Sequence, residues 1–184
     1  MRFIALAAGL LLAAGAHTQA QAQIKVGITL SMTGPAASLG IPEKNTTTLY
    51  PKEIGGQKVE YIVLDDASDT TGAARNTQRF LNDDKVDLII GSTISPNSLT
   101  MVELVGEKQT PMIAIAGAQR IVEPMDDKRK WVFKTPQNDS LMAEAIIGHI
   151  AKSGKKSTAV IAQADAYGEG WVAELNRQAA AKGV

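Results

Sequence analysis

The chain has 184 residues, with 19 Lys and Arg against 19 Asp and Glu, two histidines and no cysteine. That balance excludes the basic surface a nucleic-acid binder needs. The missing cysteines exclude disulfide staples and a lipid anchor on an N-terminal cysteine, so stability has to come from a packed core.

Met1 to Ala22 reads as an export signal: Arg2 gives a short positive start, Phe3 to Ala16 is apolar, and Ala20-Gln21-Ala22 is a small-x-small cleavage site. Cleavage is expected after Ala22, leaving 18 basic against 19 acidic residues. The apolar run is too short for a membrane span. Of the histidines only His149 would remain, so no histidine cluster for a metal can form.

Ile24 to Leu30 predicts a first buried strand, followed by the polar loop Ser31 to Gly40. Glu43 to Glu53 has weak helical character, limited by Pro51. Lys58 to Leu64 predicts a second strand, and Asp65, Asp66, Ser68 and Asp69 form the turn that caps a helix over Thr70 to Asn82, with Ala73, Thr77, Phe80 and Leu81 at helical spacing. Val86 to Ile90 is an almost unbroken apolar run closed by Gly91, as a strand in the middle of a sheet requires.

Ser92, Thr93 and Ser95 follow at once, with Ser95-Pro96 placed as an N-cap and first helical residue. Hydroxyls and unpaired N–H groups at a helix start suit an anion; equally, Ser95 could be only a cap. Both readings stand open on these residues alone. Met101, Leu104 and Val105 continue the helix, and Pro111 to Ala116 is another strand, ending in Gly117-Ala118.

Ile121 to Lys130 is a charged loop, and Trp131 to Lys134 is extended. In the next helix Met142, Ala145, Ile146, His149 and Ile150 share one face, so His149 is expected to be a half-buried, structural histidine. Ser157 to Ala162 reads as a further strand and Tyr167 to Lys182 as a further helix. Strands alternating with crossover helices predict an α/β, doubly wound parallel sheet covered on both faces. The sequence stops where the next strand of a second α/β lobe would begin, which reads as a C-terminal truncation.

Enzyme motifs do not fit. Gly148 to Lys155 has the wrong glycine spacing for a phosphate loop and lies between a helix and a strand rather than the reverse. No GxGxxG follows the first strand, and Ser92 or Ser95 would have only the distant His149 as base. Asp65-Asp66 could hold Mg²⁺, but Ser68-Asp69 beside them favours turn formation and helix capping.

Five motifs in order resemble the periplasmic binding proteins of the leucine/isoleucine/valine type, which feed ABC importers. They are SMTGPAASLG at Ser31 to Gly40, LDDASD at Leu64 to Asp69, IGST at Ile90 to Thr93, VFKT at Val132 to Thr135 and DAYGEG at Asp165 to Gly170. The resemblance implies a non-catalytic, exported binder of two α/β lobes that close on a ligand, needing no cofactor. Its partners would be a small-molecule ligand and a membrane ABC permease, with no nucleic acid, and it would be a periplasmic monomer when full length. It divides the chain into the signal 1–22, a first lobe 23–137, and a hinge crossing with part of a second lobe 138–184.

It also implies that the first and third strands lie side by side, with the ligand at the switch between them. On this likeness Ser95 binds the ligand carboxylate, the backbone of Ala116 contacts the ligand, and Tyr167 is the aromatic wall from the second lobe. Leu39 stands where branched-chain binders carry a bulky aromatic. Ala118 departs from the pattern, since amino-acid binders often place Ser or Thr there for the ligand ammonium. The implied ligand is a small carboxylate such as a branched-chain or other apolar amino acid. The alternative is an aromatic or other non-amino carboxylate, and a hydrolase on a doubly wound sheet is the alternative from another class.

Overall fold

The structure, a computed structural model, describes residues 23–184, so the export signal and the cleavage after Ala22 lie outside the described residues. Its strands are β1 (Ile24–Leu30), β2 (Glu53–Ile54), β3 (Gln57–Asp65), β4 (Leu88–Gly91), β5 (Met112–Ala114) and β6 (Val132–Lys134). Its helices are α1 (Ala37–Thr47), α2 (Thr70–Arg79), α3 (Ser95–Lys108), α4 (Asp139–Lys152) and α5 (Ala166–Lys182). One six-stranded sheet runs in the order β2-β3-β1-β4-β5-β6. All pairs are parallel except β2–β3. Thus β1 lies beside β4, and the order reverses between them, as the resemblance implies.

Residues alternate across β1 because its two faces are covered by different layers. Val26, Ile28 and Leu30 enter one core with Val59. On the other face Gly27 lies under the fully buried ring of Phe80, and a Cβ there would come within 2.6 Å of it. Phe80 joins Ile89, Met101, Val105 and Met112 in the second core, which seats α2 and α3 on the sheet. Asp69 caps α2 by accepting from the Gly72 N–H at 2.9 Å, as its place before the helix predicts.

Several elements differ from expectation. Helix α1 begins at Ala37, inside the segment read as loop, rather than at Glu43. Gly40 lets the helix pack close to the end of β1: a Cβ there would meet the Ser31 carbonyl oxygen at 2.1 Å. The β2–β3 hairpin turns on Gly55 and Gly56, both at positive φ, as a tight hairpin requires.

The strand expected at Ser157 to Ala162 is absent; the segment is irregular and exposed. An apolar run becomes a strand only when a neighbour completes its ladder, and no described strand lies beside it. His149 is exposed rather than half-buried, because α4 buries Ala143 and Ile147 and turns Met142 and Ile146 outward. Among the described residues no helix is long and apolar enough to cross a membrane.

Candidate functional site

The carboxyl ends of β1, β3 and β4 are fastened together by one buried side chain. Asp66 is fully buried and accepts from the Ser31 hydroxyl at 2.7 Å, the Ser92 hydroxyl at 2.6 Å, the Thr29 hydroxyl at 3.4 Å and the Ser68 N–H at 3.0 Å. Beside it Asp65 accepts from the Thr33 hydroxyl and from the N–H groups of Ala67, Thr33 and Met32. Burial acts to raise the Asp65 pKa, but these donors outweigh it and hold the carboxyl below the usual range. Both carboxylates therefore organise loops, as turn formation predicts, and neither belongs to a metal-binding group of three or more His, Cys, Asp or Glu among the described residues.

Gly91 ends β4 with φ +126°, and a Cβ on it would meet the Thr29 carbonyl oxygen at 2.1 Å. Only glycine lets the chain leave the sheet so close to β1. Thr93 then accepts from the Ser31 N–H at 2.9 Å and gives its own proton to Glu43 Oε2 at 2.5 Å. Its hydroxyl has no proton left for a ligand.

Ser95 is not the N-cap. Ile94 holds that position without a side-chain bond, and Ser95 is the first residue of α3. The hydroxyl turns away from the helix and accepts from the Ala118 N–H at 3.2 Å, a partner supplied by the loop after β5. A serine hydroxyl that accepts at its oxygen still has its proton to donate. The first-turn N–H groups of α3 lie alongside, where a helix start favours negative charge.

Leu39, Thr93, Ser95, Ile115, Ala116 and Tyr167 line one cavity of about 560 Å³, open on one side. That volume suits a small molecule. Tyr167 is set by the start of α5, where Asp165 accepts from the Tyr167 and Gly168 N–H groups at 3.0 Å each. Its ring lies over Gly117, so a Cβ there would be 3.1 Å from the ring. Ala118 is buried behind Ser95 and is not on the wall. Gln163 and Asp165 also line the cavity, and Asp165 is the one formally charged side chain on the described walls. The sequence pattern does not mark Gln163, which lies in an irregular segment with no periodicity. Gly117 could be suspected only from the small-residue pair that ends β5.

Glu43 lies just outside this wall. Its pKa is raised, chiefly by burial and further by Asp66, against the lowering effect of the Thr93 hydroxyl. A carboxyl whose folded pKa exceeds its unfolded value favours folding fully only below the unfolded pKa, about 4.3 for Glu, and loses that contribution as pH rises through the folded pKa. Glu43→Gln keeps an acceptor for Thr93 and removes the buried charge. It is expected to raise the melting temperature at pH 7 and to leave it nearly unchanged at pH 4, in thermal scans of both proteins; a lower melting temperature at pH 7 would contradict this.

A family model described as periplasmic binding protein matches residues 23–184. Among solved structures, an extracellular ligand-binding receptor from Rhodopseudomonas palustris HaA2 is 48% identical with a TM-score of 0.85, over 89% of this chain and 45% of its own. A solute-binding protein of an ABC transporter from R. palustris BisB5, in complex with 3,4-dihydroxybenzoic acid, is 29% identical with a TM-score of 0.79, over 88% and 45%. A leucine-binding protein from Thermotoga maritima shares the fold at 23% identity and a TM-score of 0.77, over 87% and 46%. No curated protein matches. The chain spans somewhat under half the length of these relatives. With the sheet order and the cavity at its carboxyl edge, the match over residues 23–184 shows that this chain belongs to the periplasmic binding protein family, whose members are binding receptors rather than enzymes.

Proposed function

We propose that this chain supplies the first lobe and hinge crossing of a periplasmic solute-binding component of an ABC importer, and that its cavity takes a small apolar carboxylate. The single observation behind the ligand class is Ser95. Its oxygen is occupied by the Ala118 N–H, so its proton is available at the start of α3, beside apolar walls. A carboxylate is the group that such a donor set satisfies.

Aromatic acids fit this half-site better than amino acids. An α-ammonium needs acceptors, and alanine at position 118 has no side-chain oxygen to offer one. The 3,4-dihydroxybenzoic acid complex of the 29%-identical relative supports the same reading. An apolar amino acid is the second reading, favoured by one feature: Asp165 caps α5 through Oδ1 alone, and Oδ2 could accept from an ammonium.

The test is a titration of the ¹⁵N-labelled protein, extended to the two-lobe length of its relatives, with benzoate, 4-hydroxybenzoate, 3,4-dihydroxybenzoate, leucine and isoleucine, followed by NMR. Aromatic acids are expected to shift the amides of Thr93, Ser95, Ala116 and Tyr167. Shifts with the amino acids alone would favour the second reading, and shifts with none of the five would overturn the carboxylate assignment.

A further inference from the structure

Behind the Ser95 wall lies a lysine that the binding reading does not use. Lys134, at the end of β6, donates from Nζ to the carbonyl oxygens of Gly117 at 3.1 Å, Pro136 at 2.9 Å and Gln137 at 2.8 Å. All three ammonium protons are thus spent on backbone, two of the acceptors belonging to the chain just past β6 and one to the loop after β5. Burial acts to lower the Lys134 pKa, while the nearby Asp139 and Glu123 act to raise it.

The Gly117 carbonyl and the Ala118 N–H belong to one peptide unit. Its oxygen faces Lys134, and its N–H points the opposite way, to Ser95 Oγ at 3.2 Å. From these contacts we infer that Lys134 is a positioning residue for anion binding, polarising the Ser95 hydroxyl through the Gly117–Ala118 peptide without touching the ligand.

The physical steps are short. A cation at the carbonyl oxygen draws electron density across the conjugated amide and makes its N–H a stronger donor. A stronger bond to Ser95 Oγ leaves the hydroxyl proton more acidic, and hence a stronger donor to a carboxylate. Hydrogen bonds in such chains reinforce one another where water is excluded, and Ser95 is only 3% exposed. The described walls carry no cation and one carboxylate, Asp165, so the positive charge that the relay brings to bear on an anion sits one peptide away from the cavity.

This inference rests on the carboxylate reading of Ser95, and the experiment separates the two. Wild type, Ser95→Ala, Lys134→Gln and the double variant are titrated by NMR with the tightest-binding carboxylate of the panel above and with its carboxamide. Lys134→Gln keeps neutral N–H donors for the carbonyls and removes the charge; Lys134→Met, which removes the donors as well, is the harsher companion. Lys134→Gln is expected to weaken carboxylate binding roughly three- to tenfold, to weaken carboxamide binding clearly less, since a neutral acceptor gains less from a stronger donor, and to add nothing in the Ser95→Ala background.

Equal losses for acid and amide would show a merely structural lysine and overturn the relay. Losses that add in full in the double variant would show a charge acting through space, and would overturn it too, as would wild-type affinity in Lys134→Gln. Unchanged carboxylate affinity in Ser95→Ala would instead overturn the functional reading, and the relay with it.

Discussion

Asp66→Ala is expected to lower the unfolding free energy of the chain by about 3 to 4 kcal/mol, measured by urea denaturation followed by circular dichroism. The carboxylate is fully buried and is balanced by donors alone: hydroxyls of Thr29, Ser31 and Ser92, and the Ser68 N–H. Bonds to a charged acceptor contribute about 1.5 to 3 kcal/mol each, but they share one carboxylate and do not add in full. Truncation removes all of them, leaves the Ser68 N–H and the buried hydroxyls to find new acceptors, and opens a small void. Asp66→Asn separates charge from shape. One carboxylate oxygen becomes an NH₂ facing a hydroxyl that already donates, so an intermediate loss is expected. A loss within about 1 kcal/mol for Asp66→Ala would show that the three strand ends are held by backbone contacts instead.

The second large effect is on affinity. If the Ser95 hydroxyl donates to a ligand carboxylate, the bond is charge-assisted, and Ser95→Ala is expected to weaken binding by about 1.5 to 3 kcal/mol, roughly 10- to 150-fold. Ser95 is not the N-cap of α3, so the folding cost of the same change comes from the buried Ala118 N–H left without its acceptor, and is expected at about 1 to 3 kcal/mol. Ser92→Ala supplies the contrast, since its hydroxyl is bound to Asp66 and its loss should appear mainly in stability. NMR titration supplies the affinities and thermal melts the stabilities. Unchanged affinity in Ser95→Ala, beside a clear loss of stability, would reduce Ser95 to a residue that only secures the Ala118 loop.

The sheet was legible in the sequence wherever a strand is buried among neighbours. The apolar runs at Ile24 to Leu30 and Val86 to Ile90 mark the two strands that lie side by side at its centre, and the small, polar residues after each mark the edge where the cavity opens. What misled was local pattern without its tertiary partner. Ser95-Pro96 has the form of a cap and first helical residue, yet the Ala118 N–H, 23 residues on, takes the hydroxyl and shifts the helix start by one position. Asp66 is the turn residue expected, bonded to the Ser68 N–H, but its hydroxyl partners lie 26 to 37 residues away, beyond any local motif. Ser157 to Ala162 has the composition of a strand but no neighbour among the described residues. The approach of helix α1 to Ser31 at Gly40 is a tertiary contact, which propensity does not register.

The central claim is that a carboxylate is held at the start of α3 by Ser95, with Tyr167 as the facing wall. A crystal structure of the protein with the tightest-binding acid of the panel tests it most directly. A ligand carboxylate oxygen is expected within hydrogen-bond distance, about 2.5 to 2.7 Å, of Ser95 Oγ, with the apolar body of the ligand against Tyr167 and Leu39. A ligand whose carboxylate points away from α3, or one bound outside this cavity, would contradict the account.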